Sequence, residues 1–392
     1  MDARRRPAGI YPPRHPRSPL KHLMAPQLRR LLHVFSTFRV GGPQVRFALL
    51  ANALGAKYEH LIVSMDGSAD TLKHLSAEVD AKMIEGSHKD LPFYRRLQAY
   101  RGLLHSLHPD QLITYNWGAI EWALANLKPV CPHIHIEDGF GPEESHRQLA
   151  RRVWTRRLAL WRQSLVVVPS RTLFEMASHT WKLPRKRLLY LPNGVNCQRF
   201  SAKPDQALLS RLSLPGDRPL VGTVTALRPE KNLSRLIHAF AAARQAQVSH
   251  LVIIGEGAER VRLESLVKQL GLQQEITFTG HIADPARVLG ALDIYAISSD
   301  TEQMPYGVLE AMACGLPVAG VDVGDVKTMV AHKNQIFISP KDINRLAQSL
   351  RTLVADSALR QSLGQANQFK VREHFGETQM IAAYDRLFQA TD

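Results

Sequence analysis

Cysteine is scarce in this chain. Its 392 residues hold three, Cys131, Cys197 and Cys314, far apart and with no Cys-x-x-Cys pair. That usage supports neither a disulfide framework nor a zinc site, and it fits a reducing cytosol. No uncharged apolar stretch approaches the ~18 residues of a membrane-spanning helix. The amino-terminal segment lacks the apolar core of a secretory signal. Acidic residues are in deficit, 35 Asp+Glu against 50 Lys+Arg, for a net charge of +15. At 45% hydrophobic and 22% charged, the composition excludes a mainly disordered chain, a collagen-like repeat and a disulfide-rich miniprotein. At roughly 150 residues per domain, two or three domains are expected.

The positive charge is unevenly placed. Residues 1–30 carry eight Lys and Arg against Asp2 alone, and they are rich in proline. Such a segment cannot bury a core and is expected to be a disordered basic tail. The first strand-like run begins at Leu31, which makes Met24 a candidate start. A second belt, Arg147 to Arg187, holds eleven basic residues and one acid, Glu175. Such a belt attracts polyanions, whether nucleic acid, an anionic membrane or a charged substrate; a solvated helix face is the plainer alternative. No recognised nucleic-acid motif accompanies it, so nucleic acid is not an expected partner. Arg147, Arg151, Arg152, Arg156 and Arg157 recur beside Val153, Trp154, Leu158, Leu160 and Trp161, the pattern of an interfacial helix. Peripheral attachment to the inner face of the cytoplasmic membrane is the expectation, with a soluble acceptor the alternative.

After residue 31 strands and helices alternate. Near-continuous apolar runs read as buried parallel strands at Leu31–Phe35, His60–Ser64, Gln111–Tyr115, Ile134–Ile136, Leu165–Val168 and Leu188–Leu191. A second series follows at Leu220–Val224, Leu251–Ile254, Ile276–Phe278, Ile294–Ile297, Pro317–Val321 and Ile336–Ile338. Helix-like stretches between them include Gln44–Leu54, Asn232–Arg244, Ala258–Gln269 and Asn344–Ala355. The pattern predicts an α/β chain of two doubly wound, Rossmann-like domains facing across a cleft. The expected divisions are a tail to residue 30, a first domain over 31–200, a second over 201–375, and a terminal segment, 376–392. Ligands of such folds meet the carboxyl ends of the strands.

Four loops stand out at those ends. Gly41 and Gly42 precede a helix whose positive end suits an anion, although a plain turn explains them too. Arg228 and Lys231 flank Pro229 before another helix. Cations there oppose the helix dipole, yet they suit a diphosphate. Gly255 and Gly257 make a weaker strand-to-helix turn. The fourth loop is SSDTEQMPYGVLEAMACGLP, residues 298–317. Glu302 precedes a short helix, about Gly307 to Cys314, and Glu310 lies about one turn inside it. Both carboxylates can face a cleft, one toward sugar hydroxyls and one toward ribose hydroxyls, while helix amides meet phosphate.

Glu302 and Glu310 within that segment resemble the acidic motif of retaining GT-B glycosyltransferases of family 4. PNGVNCQRF (192–200), VGTVTALRPEKNLSRLIHAFA (221–241), LVIIGEGAER (251–260) and FTGHIADPARVLGALDIYAISSD (278–300) are similar to further blocks of that family, in its order. The resemblance implies that Glu310 binds the donor ribose, that Glu302 faces the donor sugar, and that Arg228 and Lys231 neutralise the leaving diphosphate. The backbone about Gly41, Gly42, Tyr306, Gly307 and Val308 would assist at phosphate or sugar. Gly255 and the loop after Gly280 would serve the donor, and a final helix, about Gln379–Gln389, would pack back on the first domain.

Two positions depart from the family pattern. Ala226 stands where an arginine is common, with Arg228 two residues later. A frequent histidine aligns with Asp138, in the segment His133-Ile134-His135-Ile136-Glu137-Asp138. That cluster reads as an acceptor-side site built from His135, Glu137 and Asp138, with Asp138 a catalytic candidate; His133 and His135 also read as buried core histidines. No Asp-x-Asp triplet occurs, so the expected reaction uses cations in place of a metal and needs no cofactor beyond the nucleotide sugar. The implied function is retaining sugar transfer to a glycan or lipid-linked acceptor, in lipopolysaccharide or other cell-surface polysaccharide synthesis. A sugar-nucleotide 2-epimerase of the same architecture and a non-catalytic, polyanion-binding homologue are the alternatives. The latter would be expected to have lost Glu302, Glu310 or Lys231.

Overall fold

The computed structural model describes residues 28–140, 142–144, 147–201, 203–244 and 248–390. The basic segment up to residue 27 lies outside them. The described residues form thirteen strands: β1 (Arg29–Phe35), β2 (Tyr58–Ser64), β3 (Asp80–Met83), β4 (Gln111–Tyr115), β5 (His133–Ile136), β6 (Ser164–Val168), β7 (Leu188–Tyr190), β8 (Leu220–Val224), β9 (His250–Ile254), β10 (Ile276–Gly280), β11 (Ile294–Ile297), β12 (Val318–Val321) and β13 (Ile338–Ser339). They make two all-parallel sheets, ordered β3-β2-β1-β4-β5-β6-β7 and β10-β9-β8-β11-β12-β13. Both sheets reverse their winding direction beside their first strand, which is where a doubly wound fold opens a crevice.

The apolar runs explain the sheets. Leu31, Leu32, Val34 and Phe35 of β1 are fully buried, as are Val166, Val167 and Val168 of β6. Strands covered on both faces need apolar side chains in both directions. Three details differ from the sequence expectation. Arg29 and Arg30 belong to β1, pairing with Tyr58 and Glu59, and not to a tail. The edge strand β3 reads Asp-Ala-Lys-Met; with one neighbour it needs no apolar run. Ile336 is 77% exposed in a 3-10 segment, and only Ile338 enters β13.

Two crossings tie the halves together. The chain passes between the sheets near Val195 and returns beside it. The Val195 amide donates to the Phe375 carbonyl at 2.9 Å, and the Glu377 amide donates to Val195 O at 3.1 Å. Helix Glu377–Gln389 then packs Met380, Tyr384, Leu387 and Phe388 into the core of the first sheet with Phe35, Phe47 and Ile62.

Candidate functional site

A cavity of about 380 Å³ opens where the carboxyl ends of the two sheets meet. From the first domain it is lined by Gly41 and Gly42 after β1, Asp138 after β5, Pro169 after β6 and Asn193. From the second come Thr225, Ala226, Arg228 and Lys231 after β8, Ser298, Ser299 and Glu302 after β11, and Tyr306 and Gly307.

At its centre Lys231 Nζ meets Glu302 Oε1 at 2.6 Å, and the Ser299 hydroxyl donates to the same oxygen at 2.7 Å. Lys231 ends a 3-10 turn, and Asn232 follows in a left-handed conformation, its side chain capping helix Leu233–Ala243. That turn aims Lys231 into the cleft. Arg228 lies at the rim with its side chain 62% exposed and 4.0 Å from Glu230. Two helix amino-termini converge here. Helix Gly42–Leu54 starts at the glycine pair, and a side chain added at Gly42 would meet nothing within 4 Å. Helix Tyr306–Ala313 starts at Tyr306 and Gly307, whose first-turn amides have no intrahelical partner. Gly307 is required by packing, since a Cβ there would lie 2.2 Å from Tyr295 Oη. Anions are favoured at such ends.

The opposite wall is an ion pair. Arg46 binds both oxygens of Asp138, at 2.6 and 2.7 Å, and donates to Asn193 Oδ1 at 3.0 Å. Burial alone would lower the Arg46 pKa, but the adjoining Asp138 carboxylate overrides it and holds the guanidinium more firmly charged than usual. The Tyr306 hydroxyl donates to the same Asn193 oxygen at 3.3 Å, and Asn193 Nδ2 donates to the Met304 carbonyl. This network joins the two domains across the cavity floor.

Two family models match the chain. One, described as "Glycosyltransferase Family 4", covers residues 40–199, and the other, "Glycosyl transferases group 1", covers residues 206–369. The chain belongs to the family 4, group 1 glycosyltransferases. A GDP-mannose-dependent alpha-mannosyltransferase of Mycobacterium tuberculosis is 27% identical over 276 residues, 67% of this chain and 68% of its own. Against the first curated relatives the matches span only 44% and 61% of the relatives' own length. Among solved structures, Anabaena HepE in complex with UDP matches with a TM-score of 0.78 at 18% identity, over 92% of this chain and 99% of that one. WaaG, a glycosyltransferase involved in lipopolysaccharide biosynthesis, matches with 0.72 at 16% identity, over 92% and 100%. These neighbours show the GT-B fold.

The cavity brings together Gly41, Gly42, Asp138, Arg228, Lys231, Glu302, Tyr306 and Gly307 of the expected site. Asp138 needs a correction in role. Both of its oxygens are held by Arg46, so it anchors that cation and is not a free base. His135 and Glu137 do not face the cleft. Both are fully buried. His135 joins Thr114 at 2.8 Å and Glu137 at 3.3 Å, and Glu137 meets Arg156 at 3.3 Å. They are interior polar residues of the first sheet. His133 is likewise buried, and burial beside His135 pushes it down to about 3. Val308 is a core residue whose amide donates to the Pro305 carbonyl, so it is not free for a ligand. Gly255 and Gly280 do not line the cavity. Gly255 donates to the Gly280 carbonyl at 2.9 Å and lies so close to Thr225 that a Cβ would be 1.9 Å from its oxygen.

Glu310 lies beside this cavity, not within its lining. Its carboxyl has no partner among the described residues, and burial, opposed weakly by Arg199 and aided weakly by Asp284, pushes it up to about 7. The residues that sequence reasoning missed are Arg46, Asn193 and Ser299. Arg46 carried a signal, as the lone charge in the helix GPQVRFALLANAL.

The basic helix also needs correction. Arg156 is fully buried between Glu137 and Glu144 and stacks on Trp117, Phe140 and Trp181. Arg152 pairs with Glu143 and Glu144, and Leu160 is fully buried. What faces out is Trp154 at 66%, Leu158 at 65% and Trp161 at 50% exposure. No helix among the described residues is long and apolar enough to cross a membrane.

Proposed function

We propose that this chain transfers a sugar from a nucleotide-diphosphate sugar to a glycan or lipid-linked acceptor, with retention at the anomeric carbon. The observation that carries the reading is the Lys231–Glu302 pair at 2.6 Å, set between two helix amino-termini at the mouths of both sheets. Lys231, Arg228 and the amides at Gly42, Tyr306 and Gly307 form one concentration of positive charge and free donors, the complement of a diphosphate. Glu302 faces the sugar. Glu310, whose carboxyl has no partner among the described residues, takes the ribose hydroxyls.

In the reaction the bond between the anomeric carbon and the diphosphate oxygen breaks while the acceptor oxygen bonds to that carbon. The acceptor's proton passes to the departing diphosphate on the same face. Charge grows on the leaving group, so preorganised cations and amides lower the barrier more than they tighten ground-state binding. Lys231 and Arg228 supply that charge, and no divalent metal is required in this account.

The exposed Trp154, Leu158 and Trp161, with Arg157 against Trp154 and Arg162 against Trp161, form a face suited to an anionic membrane surface. A lipid-linked acceptor of cell-surface polysaccharide or lipopolysaccharide type fits that placement. A thermal-shift panel of UDP-, GDP-, ADP- and TDP-sugars, with and without magnesium, tests the donor. One sugar nucleotide should stabilise the protein equally in both conditions. Stabilisation that appears only with magnesium would contradict the metal-independent reading.

A further inference from the structure

A carboxylate of the second domain caps a helix of the first. Asp325 lies between β12 and the short helix Val326–Met329, is 4% exposed, and leaves its own helix uncapped. Its Oδ2 accepts from the Arg171 amide at 2.6 Å. Its Oδ1 accepts from the Thr172 amide at 3.0 Å and from the Thr172 hydroxyl at 2.7 Å. Arg171 and Thr172 open helix Arg171–His179, which follows β6. Ser170, its own cap, accepts from the Leu173 amide at 3.0 Å and donates to Gln303 Oε1, also at 3.0 Å. The amino-terminal amides of a helix need outside partners, and two of these are met by the other domain.

The same residue grips the loop that carries Glu302. The Asp325 amide donates to the Gln303 carbonyl at 2.9 Å. Gly324, at φ +54°, is packed so tightly on this loop that a Cβ would lie 2.4 Å from Glu302 O and 2.6 Å from Gln303 O. The Glu302–Gln303 backbone is therefore held by 324–325, and the Gln303 side chain by Ser170, with Asp325 common to the loop contact and to the capped helix.

We propose that Asp325 is a positioning residue that couples closure of the two domains to the placement of Glu302. Its catalytic consequence rests on the transferase reading above. Its structural consequence does not. Separation of the domains would strip the helix of its partners at Arg171 and Thr172 and release the side chain of Gln303 from Ser170. The loop would then hold Glu302 less firmly against Lys231. Closure restores the helix cap through the Asp325 carboxylate and the loop contact through Ser170 and Gln303, and it shuts water out as the site is completed.

Two readouts on the full-length Asp325→Ala protein test this. Small-angle scattering of the free protein should show a larger radius of gyration than wild type. Turnover of the donor found by the sugar-nucleotide panel should lose about tenfold or more in kcat with donor KM changed by less than about threefold, and hydrolysis should take a larger share of the turnover. Asp325→Asn should recover part of the loss, since its amide oxygen still accepts one hydrogen bond. Wild-type scattering together with wild-type kcat would overturn the proposal. Should Asp325→Ala fail to fold, Thr172→Val removes one of the three bonds; it should shift both readouts the same way by less, and unchanged readouts would overturn the proposal. Were no sugar nucleotide turned over by the wild type, the transferase reading would fall, and scattering alone would still decide the coupling.

Discussion

Arg46 shows how much one side chain can organise. It is fully buried on the helix that opens at the glycine pair, yet it reaches Asp138, Asn193 and the face of Tyr384 at 5.7 Å. Removing one member of a buried ion pair strands the other without water. Arg46→Met should therefore cost about 3–5 kcal/mol in urea unfolding, and adding Asp138→Asn should return part of it. A loss under about 1 kcal/mol would mean that Asp138 is readily rehydrated. Glu310 gives a second test. Its carboxyl is held near 7 by burial. Ribose hydroxyls donate hydrogen bonds to the ionised form and would lower that value in the complex. Binding then releases a proton, so nucleotide affinity should rise as pH passes from about 6 to 8. The rise should be absent in Glu310→Gln, and an identical pH profile in that variant would remove Glu310 from the site.

At the scale of single elements, helix Ala150–Leu160 divides its charge between two jobs. Arg152 and Arg156 turn inward to Glu143, Glu144 and Glu137, while Trp154, Leu158 and the adjoining Trp161 stay exposed. Binding to vesicles with anionic headgroups should weaken with added salt. It should also drop several-fold in Trp154→Ala/Trp161→Ala, whose folding should be unaffected because both rings are at least half exposed. Undiminished sedimentation with vesicles would place the membrane contact elsewhere. The sequence showed the helix but not which arginines face inward, because glutamates on a loop after β5 choose them. Strands buried on both faces were legible for the opposite reason: their apolar runs need no distant partner to be recognised. The edge strand β3 was not, since its alternating polar residues look like loop. Lys231, Glu302 and the glycine pair were legible because turn chemistry and strand ends place them locally. Asn193 and Ser299 were not, since they acquire meaning only when the cleft is assembled.

The whole molecule is two sheets that share one cavity, stitched together by Val195 beside Phe375 and Glu377, by Asn193 to Met304 and Tyr306, and by Asp325 to the helix after β6. Each stitch joins residues more than a hundred positions apart, so the cavity exists only in the assembled pair. Its charge logic is simple. An excess of basic residues runs through the chain, but within the cleft Lys231 is neutralised by Glu302 until a stronger anion competes for it. On the proposed function, this anion is the diphosphate of a sugar nucleotide. The most direct measurement is calorimetric titration of UDP, GDP, ADP and TDP into wild type and Lys231→Ala. One nucleotide should bind the wild type, and its affinity should fall by about tenfold or more in the variant, the scale of one lost charge-assisted contact. Undiminished binding in Lys231→Ala, or no binding of any of the four nucleotides to the wild type, would contradict this role for the cleft.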